Sequence, residues 1–177
     1  MPSLELTPGL KCQVTSFMRI HAWQVFQSRP VGWDFIDREV HPLSFALVEQ
    51  EVLISHALAS WRYLAHLGET YKVYGLSAVL TYPEFQRRGY GQQVVEAATV
   101  HILESDGDLA LLRCQPHLYD FYRASGWIQS EAIQVSHGPR ESPTTGGRIM
   151  TLFISERGKQ NQPAFEREPL YVGNYMW

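Results

Sequence analysis

The segment that most restricts this chain's fold runs from Val79 to Gly91, VLTYPEFQRRGYG. An apolar strand ends in a proline-containing bend, passes through Gln86-Arg87-Arg88-Gly89-Tyr90-Gly91, and becomes an amphipathic helix almost at once. A strand that hands its chain to a helix through a Gly-x-Gly turn leaves several backbone N–H groups unpaired and pointing one way, with the positive end of the helix dipole behind them. That arrangement is a cradle for a pyrophosphate. The segment lacks the Lys-Ser/Thr pair that ends a Walker loop and the three-glycine spacing of a dinucleotide fingerprint, which argues against ATP and NAD. Gly-x-Gly also precedes helices for ordinary turn reasons, so the flanking segments decide its weight.

Upstream, Lys72 to Leu80 is apolar on both faces and reads as a central strand. Downstream, Tyr90, Val94, Ala98 and Ile102 recur at helical spacing, Val95 and Ala97 widen the stripe, and Gln92, Gln93 and Glu96 lie on the wet side. Leu109 to Cys114 is a second buried-strand signal. It leads into Gln115 and a short helix ending Phe121-Tyr122-Arg123-Ala124-Ser125-Gly126-Trp127, in which Gly126 is placed as a helix stop and Trp127 restarts a strand. The first segment resembles the Gln/Arg-x-x-Gly-x-Gly/Ala motif of the GNAT N-acetyltransferase superfamily. The second resembles that family's Phe-Tyr-x-x-x-Gly-aromatic hallmark. The resemblance implies an α/β fold with a mixed, mostly antiparallel central sheet and helices on both faces. It also implies acetyl-CoA as acyl donor, its diphosphate held at Gln86, Arg87, Arg88, Gly89, Tyr90, Gly91 and Gln92.

At 177 residues and 45% hydrophobic, the chain has material for one good core, and a single domain over residues 1–177 is expected. A net charge of -3 and the absence of a long Lys/Arg run argue against a nucleic-acid surface. Cys12 and Cys114 sit in apolar, strand-like surroundings far apart in sequence, which reads as reduced core thiols in a cytoplasmic protein. There is no charged-then-apolar leader, and no apolar run reaches the roughly 20 residues of a membrane span. The seven histidines show no His-x-x-x-His spacing and the cysteines no Cys-x-x-Cys, so no metal site is expected.

Along the chain, Leu10 to Thr15 reads as a first strand and Ser16 as the N-cap of a helix through Gln27. Pro30 to Asp37 reads as a short helix or loop. Leu43 to Glu49 and Val52 to Tyr63 read as a hairpin, and His66 to Glu69 as the turn into the central strand. The run from Trp127 to Val135 is strand-like, Ser136 to Gly147 a long loop, Arg148 to Ile154 the last strand, Glu156 to Pro163 a polar linker, and Phe165 to Trp177 an aromatic tail. Antiparallel neighbours early and a βαβ unit in the middle lead to a mixed sheet covered by helices on both faces.

Acyl transfer to an amine needs an unprotonated nitrogen, a stabilised oxyanion and a protonated leaving thiolate. The natural oxyanion donors are main-chain N–H groups at the end of the central strand, at Val79, Leu80 and Thr81, and the resemblance implies the same. Tyr122 falls on the tyrosine that many GNAT enzymes use as general acid. A phenol near pKa ~10 protonates a thiolate of conjugate-acid pKa ~8.5 only late in the step or in a site that shifts one value. The alternative for Tyr122 is a core aromatic beside Phe121 and Tyr119. Gln115 stands where the family often has an asparagine that contacts the pantetheine amide. For the base, Glu69, His56, His117 and a water on Ser77 all remain open, His56 also reading as a satisfied sheet residue.

From about Val52 to Ile154 the chain is similar in layout to the aminoglycoside 2′-N-acetyltransferases. There a glutamate on the central strand serves the incoming amine and a terminal tryptophan carboxylate contacts the sugar. Ser77 occupies the glutamate's position here, whereas Trp177 is kept. The expected substrate is therefore an amine, in a small molecule or a peptide, whose identity stays open. The apolar tail reads either as a wall of the acceptor pocket or as an edge strand or homodimer contact. Two functions follow: an N-acetyltransferase working by direct attack in a ternary complex, or a non-catalytic acyl-CoA-binding or partner-binding module.

Overall fold

The computed structural model describes residues 6–26, 41–146 and 148–174. Expectations for Pro30–Asp37 and Trp177 fall outside them. The order of elements is α1 (Pro8–Phe26), β1 (Leu43–Glu49), β2 (Val52–His66), β3 (Glu69–Thr81), α2 (Tyr90–Leu103), β4 (Leu109–Arg113), α3 (Tyr119–Arg123), β5 (Ile128–Ser130), β6 (Val135–His137), β7 (Thr144–Gly146), β8 (Ile149–Phe153), α4 (Glu156–Gln160), α5 (Gln162–Arg167) and β9 (Leu170–Tyr171). Six strands form one sheet in the order β1-β2-β3-β4-β8-β5, and three form a second in the order β7-β6-β9. In the large sheet only β3 and β4 run parallel, joined through α2.

Alternation along the strands sorts the core. Ala57, Ala59, Tyr74, Leu76, Ala110, Leu112, Met150 and Leu152 meet Val94, Val95, Ala98 and Ile102 of α2 on one face. On the other face Tyr71, Val73, Leu109, Leu111 and Ile149 pack on Phe165, Ile133, Val135 and Leu170, and nearer β1 Leu53 and Leu80 pack on Val14, Phe17 and Met18 of α1. Helices thus cover both faces of a mostly antiparallel mixed sheet. No helix among the described residues is long and apolar enough to cross a membrane.

Several expectations are corrected. Leu10–Thr15 is helical and Ser16 is no cap: Thr7 accepts the Leu10 N–H at 3.3 Å through its hydroxyl, and Pro8 fills the first helical position. Proline there loses nothing, because that N–H has no intrahelical partner anyway. Cys12 is consequently exposed on α1, not a core thiol, and Cys114 is half-buried. Ala97 is exposed, whereas Gln92 is half-buried and donates to Ser125 Oγ at 2.6 Å. The strand-like run after Trp127 breaks between Ser130 and Val135, and the expected loop 136–147 carries parts of β6 and β7. The expected linker is two short helices, Arg148–Ile154 contains β8, and the tail supplies an edge strand, β9, which pairs parallel with β6.

The supposed linker is helical because Ser155 caps it. Its hydroxyl accepts the Gly158 N–H at 2.9 Å and donates to Asp108 Oδ1 at 2.8 Å, while Asp108 Oδ2 accepts the Lys72 N–H at 2.9 Å. This draws α4 so close that a Cβ on Gly158 would lie 2.1 Å from the Asp108 carbonyl oxygen. Gly158→Ala is therefore expected to lower stability by about 1–3 kcal/mol, as overpacking does, read as a shifted urea midpoint. An unshifted midpoint would show that the contact relaxes freely.

Candidate active site

Three chain segments meet at one end of the sheet, on the α2 face. The first is the end of β3. It pairs with β4 only at Val73, Tyr74 and Gly75, opposite Leu109, Ala110 and Leu111, so from Leu76 to Thr81 the two strands part and leave a wedge. Within that stretch β3 carries a bulge. His56 opposes Leu80 and Leu58 opposes Ser77, which leaves Ala78 and Val79 against Ala57 alone. Ala78 has φ 47°, a left-handed value unusual for a residue with a Cβ.

The bulge decides which groups reach the wedge. Tyr82 N–H donates to Ile54 O at 3.0 Å, across to β2. Strand alternation then turns the Thr81 N–H the other way, to the open side. At the bulge, the planar peptide that aims Ala78 O at His56 Nδ1 on the α1 face, 3.0 Å away, turns the Val79 N–H to the α2 face. Leu80 turns to β2, where its carbonyl accepts from Ser55 Oγ at 2.8 Å, and its side chain enters the cluster under α1. Of the three expected donors, Val79 and Thr81 thus face the wedge.

The second segment is the turn into α2. A 3-10 turn at Pro83–Phe85 is followed by Gln86, whose side-chain amide donates to Thr81 O at 3.0 Å and ties the turn to the strand. Arg87 and Gly89 have φ of 62° and 81°, so the chain reverses hand twice before α2 begins. The Gln93 N–H reaches Gly89 O at 3.1 Å, and no backbone carbonyl among the described residues accepts from the N–H groups of residues 87 to 92. The two glycines serve different needs. Gly89 meets no steric neighbour but supplies the positive φ, whereas a Cβ on Gly91 would lie 3.1 Å from Thr81 Oγ1 and 3.5 Å from Phe121 Cζ. Arg87 and Arg88 are exposed, the Arg88 guanidinium 6.0 Å from the Phe85 ring centre.

The third segment is α3. Gln92 bonded to Ser125, and Trp127 Nε1 donating to Thr99 Oγ1 at 2.9 Å, pin its C-terminal flank to α2. Gly126, with φ 91°, makes the stop between them. Tyr122 is 7% exposed and packs edge-on to Phe121 with ring centres 4.9 Å apart. Its ring is buried, but its hydroxyl, which bonds no described residue, keeps contact with solvent. Burial, with the nearby Cys114, pushes its phenol well above the ordinary range and keeps it protonated. Burial likewise raises the Cys114 thiol to about 11.

The remaining candidates are scattered. Gln115 follows β4, its Oε1 accepting from Arg148 at 3.3 Å. Ser77 is half-buried on the opposite face from α2, beside Leu58. Glu69 stands at the far end of β3, paired with Arg157 at 2.9 Å, and His117 is exposed ahead of α3. His56 is fully buried and uses both ring nitrogens, on Ala78 O at 3.0 Å and Ser44 Oγ at 3.1 Å. Sequence reasoning missed the Ala78 bulge, for which the only local hint is a polar His56 inside an apolar strand.

Residues 55–117, which include the wedge and the turn, match the FR47-like protein family. No sequence of a curated protein matches the chain. Among solved structures, a GNAT family N-acetyltransferase from Escherichia coli in complex with CoA is 11% identical, with 99% of this chain and 89% of that one covered and a TM-score of 0.61. An aminoglycoside 6′-N-acetyltransferase complexed with coenzyme A is 14% identical over 89% of this chain and 97% of that one, at a TM-score of 0.59. A probable N-acyltransferase from Enterococcus faecalis is 17% identical at a TM-score of 0.55, over 76% of this chain, which spans only 36% of that protein's length. The chain has the GNAT fold.

Proposed function

We propose that this chain of GNAT fold, acting as one domain over residues 1–177, is a cytoplasmic N-acetyltransferase that moves an acetyl group from acetyl-CoA to an amine of a small molecule or peptide. The observation that carries the reading is the convergence of open main-chain N–H groups, at the start of α2 and along the parted edge of β3, with the unpartnered hydroxyl of Tyr122. Two of the similar structures hold coenzyme A, and a helix start with open N–H groups favours a diphosphate.

In this reading Gln86 to Gln92 seat the diphosphate, and Gln115 takes the pantetheine arm with the side-chain nitrogen that Arg148 leaves open. The Val79 N–H donates to the thioester oxygen as it gains charge. The amine nitrogen bonds to the carbonyl carbon, the carbon–sulfur bond breaks, and Tyr122 gives its proton to the departing sulfur. The amine sheds its own proton to water on the Ser77 side of the sheet. Cys114 is no acyl carrier, since its raised thiol supplies almost no thiolate at neutral pH. Cys114→Ala is accordingly expected to keep at least half of the turnover; loss of all transfer would point to a covalent route.

One observation favours the second reading, an acyl-CoA-binding module without activity: Glu69 and His56 are both engaged elsewhere and Ser77 carries no charge. Thiol release from acetyl-CoA across aminoglycosides, polyamines and amino-terminal peptides separates the two. Release with at least one amine supports the enzyme. Tight coenzyme A binding with no release from any of them supports the module.

A further inference from the structure

A bulge normally leaves the carbonyl of its extra residue without a ladder partner, and a buried carbonyl needs one. At Ala78 the partner comes from a side chain on the neighbouring strand. His56 Nδ1 lies 3.0 Å from Ala78 O, its Nε2 lies 3.1 Å from Ser44 Oγ, and the ring has no exposed surface. A carbonyl oxygen only accepts, so Nδ1 carries the hydrogen and Nε2 accepts from the Ser44 hydroxyl. Three strands are tied by one ring: Ser44 from β1, His56 from β2 and Ala78 from β3.

We propose that His56 is a positioning residue for acyl transfer, holding the left-handed Ala78 bulge so that the Val79 N–H points into the wedge. This rests on the acetyltransferase reading above. The bulge has a definite geometric effect: Ser77 and Leu80, three residues apart, share the α1 face, while Val79 joins the cluster beneath α2. Ala78 is a residue with a Cβ at φ 47°, a conformation that persists only where its surroundings hold it. The imidazole is the one side chain among the described residues that bonds the bulge carbonyl. Burial also holds His56 below its ordinary range, in the neutral form that this pair of bonds requires. A ring with both nitrogens committed beneath α1 is not free to take a proton from substrate.

The test compares His56→Leu, which removes the donor, with His56→Asn, whose amide nitrogen replaces Nδ1, and with Ser44→Ala. In steady-state assays His56→Leu is expected to lose about 10-fold to 100-fold in kcat, the scale of a misdirected oxyanion donor, with coenzyme A affinity within about twofold. His56→Asn should recover most of that loss and keep the shape of the wild-type pH profile. If instead Asn is as inactive as Leu and the acidic limb vanishes, His56 is a general base and the proposal fails. Undiminished kcat in His56→Leu overturns it as well. Nitrogen NMR of the wild-type ring gives a readout independent of turnover, and is expected to show a neutral Nδ1–H tautomer throughout pH 6–8. A ring titrating in that range, or protonated on Nε2, overturns the assignment. Should no amine elicit thiol release, the acetyltransferase reading is what fails, and the lock is still read from hydrogen exchange at the Leu80 amide, which the ladder sets opposite His56 next to the bulge. Exchange there should quicken in Ser44→Ala and His56→Leu; unchanged rates in both would refute it.

Discussion

Reversing both arginines of the turn, Arg87→Glu together with Arg88→Glu, is expected to weaken coenzyme A binding about 100-fold or more in calorimetry and to leave the urea midpoint where it was. In the proposed seating each guanidinium meets phosphate oxygens; charge-assisted bonds of that kind are worth about 1.5–3 kcal/mol, and each 1.4 kcal/mol is tenfold in affinity. The pair sits directly ahead of α2, where the helix dipole adds to the attraction and where no carboxylate is bonded to either side chain among the described residues. Both side chains are exposed, so their exchange removes no packing. Gly91→Val is the steric counterpart. Its Cβ would press on Thr81 and Phe121, which moves the start of α2 away from β3 and should cost a comparable share of affinity. Unaltered binding in both variants would mean that the diphosphate sits elsewhere.

Tyr122→Phe is expected to lower kcat about 100-fold or more, the usual worth of a positioned general acid, with coenzyme A affinity unchanged. The protein itself should be as stable as before, because removing a hydroxyl that bonds no described residue strands no other group. The sign of the pH dependence follows from burial. A phenol whose pKa is raised stays protonated beyond its ordinary range, so wild-type turnover should show no falling limb up to about pH 10. The rising limb at lower pH then belongs to the amine. Retention of full turnover in the Phe variant would reduce Tyr122 to a packing residue, the alternative that its neighbours Phe121 and Tyr119 offer.

The turn and its flanking strand and helix were legible because their causes are local. Gly89 is required by a positive φ, Gly91 by a close approach, and the apolar stripe at Val94, Ala98 and Ile102 by helical periodicity. The stop at Gly126 and the buried Trp127 were legible for the same reason. What escaped depends on partners remote in sequence. Ala78 bulges because of pairing with β2, and β6, β7 and β9 exist only through one another, each too short to announce itself. At α1 the local evidence was present and misread: Leu10, Cys12 and Val14 alternate like a strand, but Thr7 and Pro8 already encode a helix start.

The large sheet ends on β1 at one margin and on the three-residue β5 at the other. Along the β1 margin the register with β2 slips between Leu47 and Val48, where Val48 and Val52 lie 39% and 48% exposed. The extra residue is Ile54 on β2, and the sharper twist that a bulge brings bends the end of β1 out of line for a second copy adding a strand. The coiled rim therefore acts as a guard against runaway stacking of copies, a safeguard that a long, level, greasy border would lack.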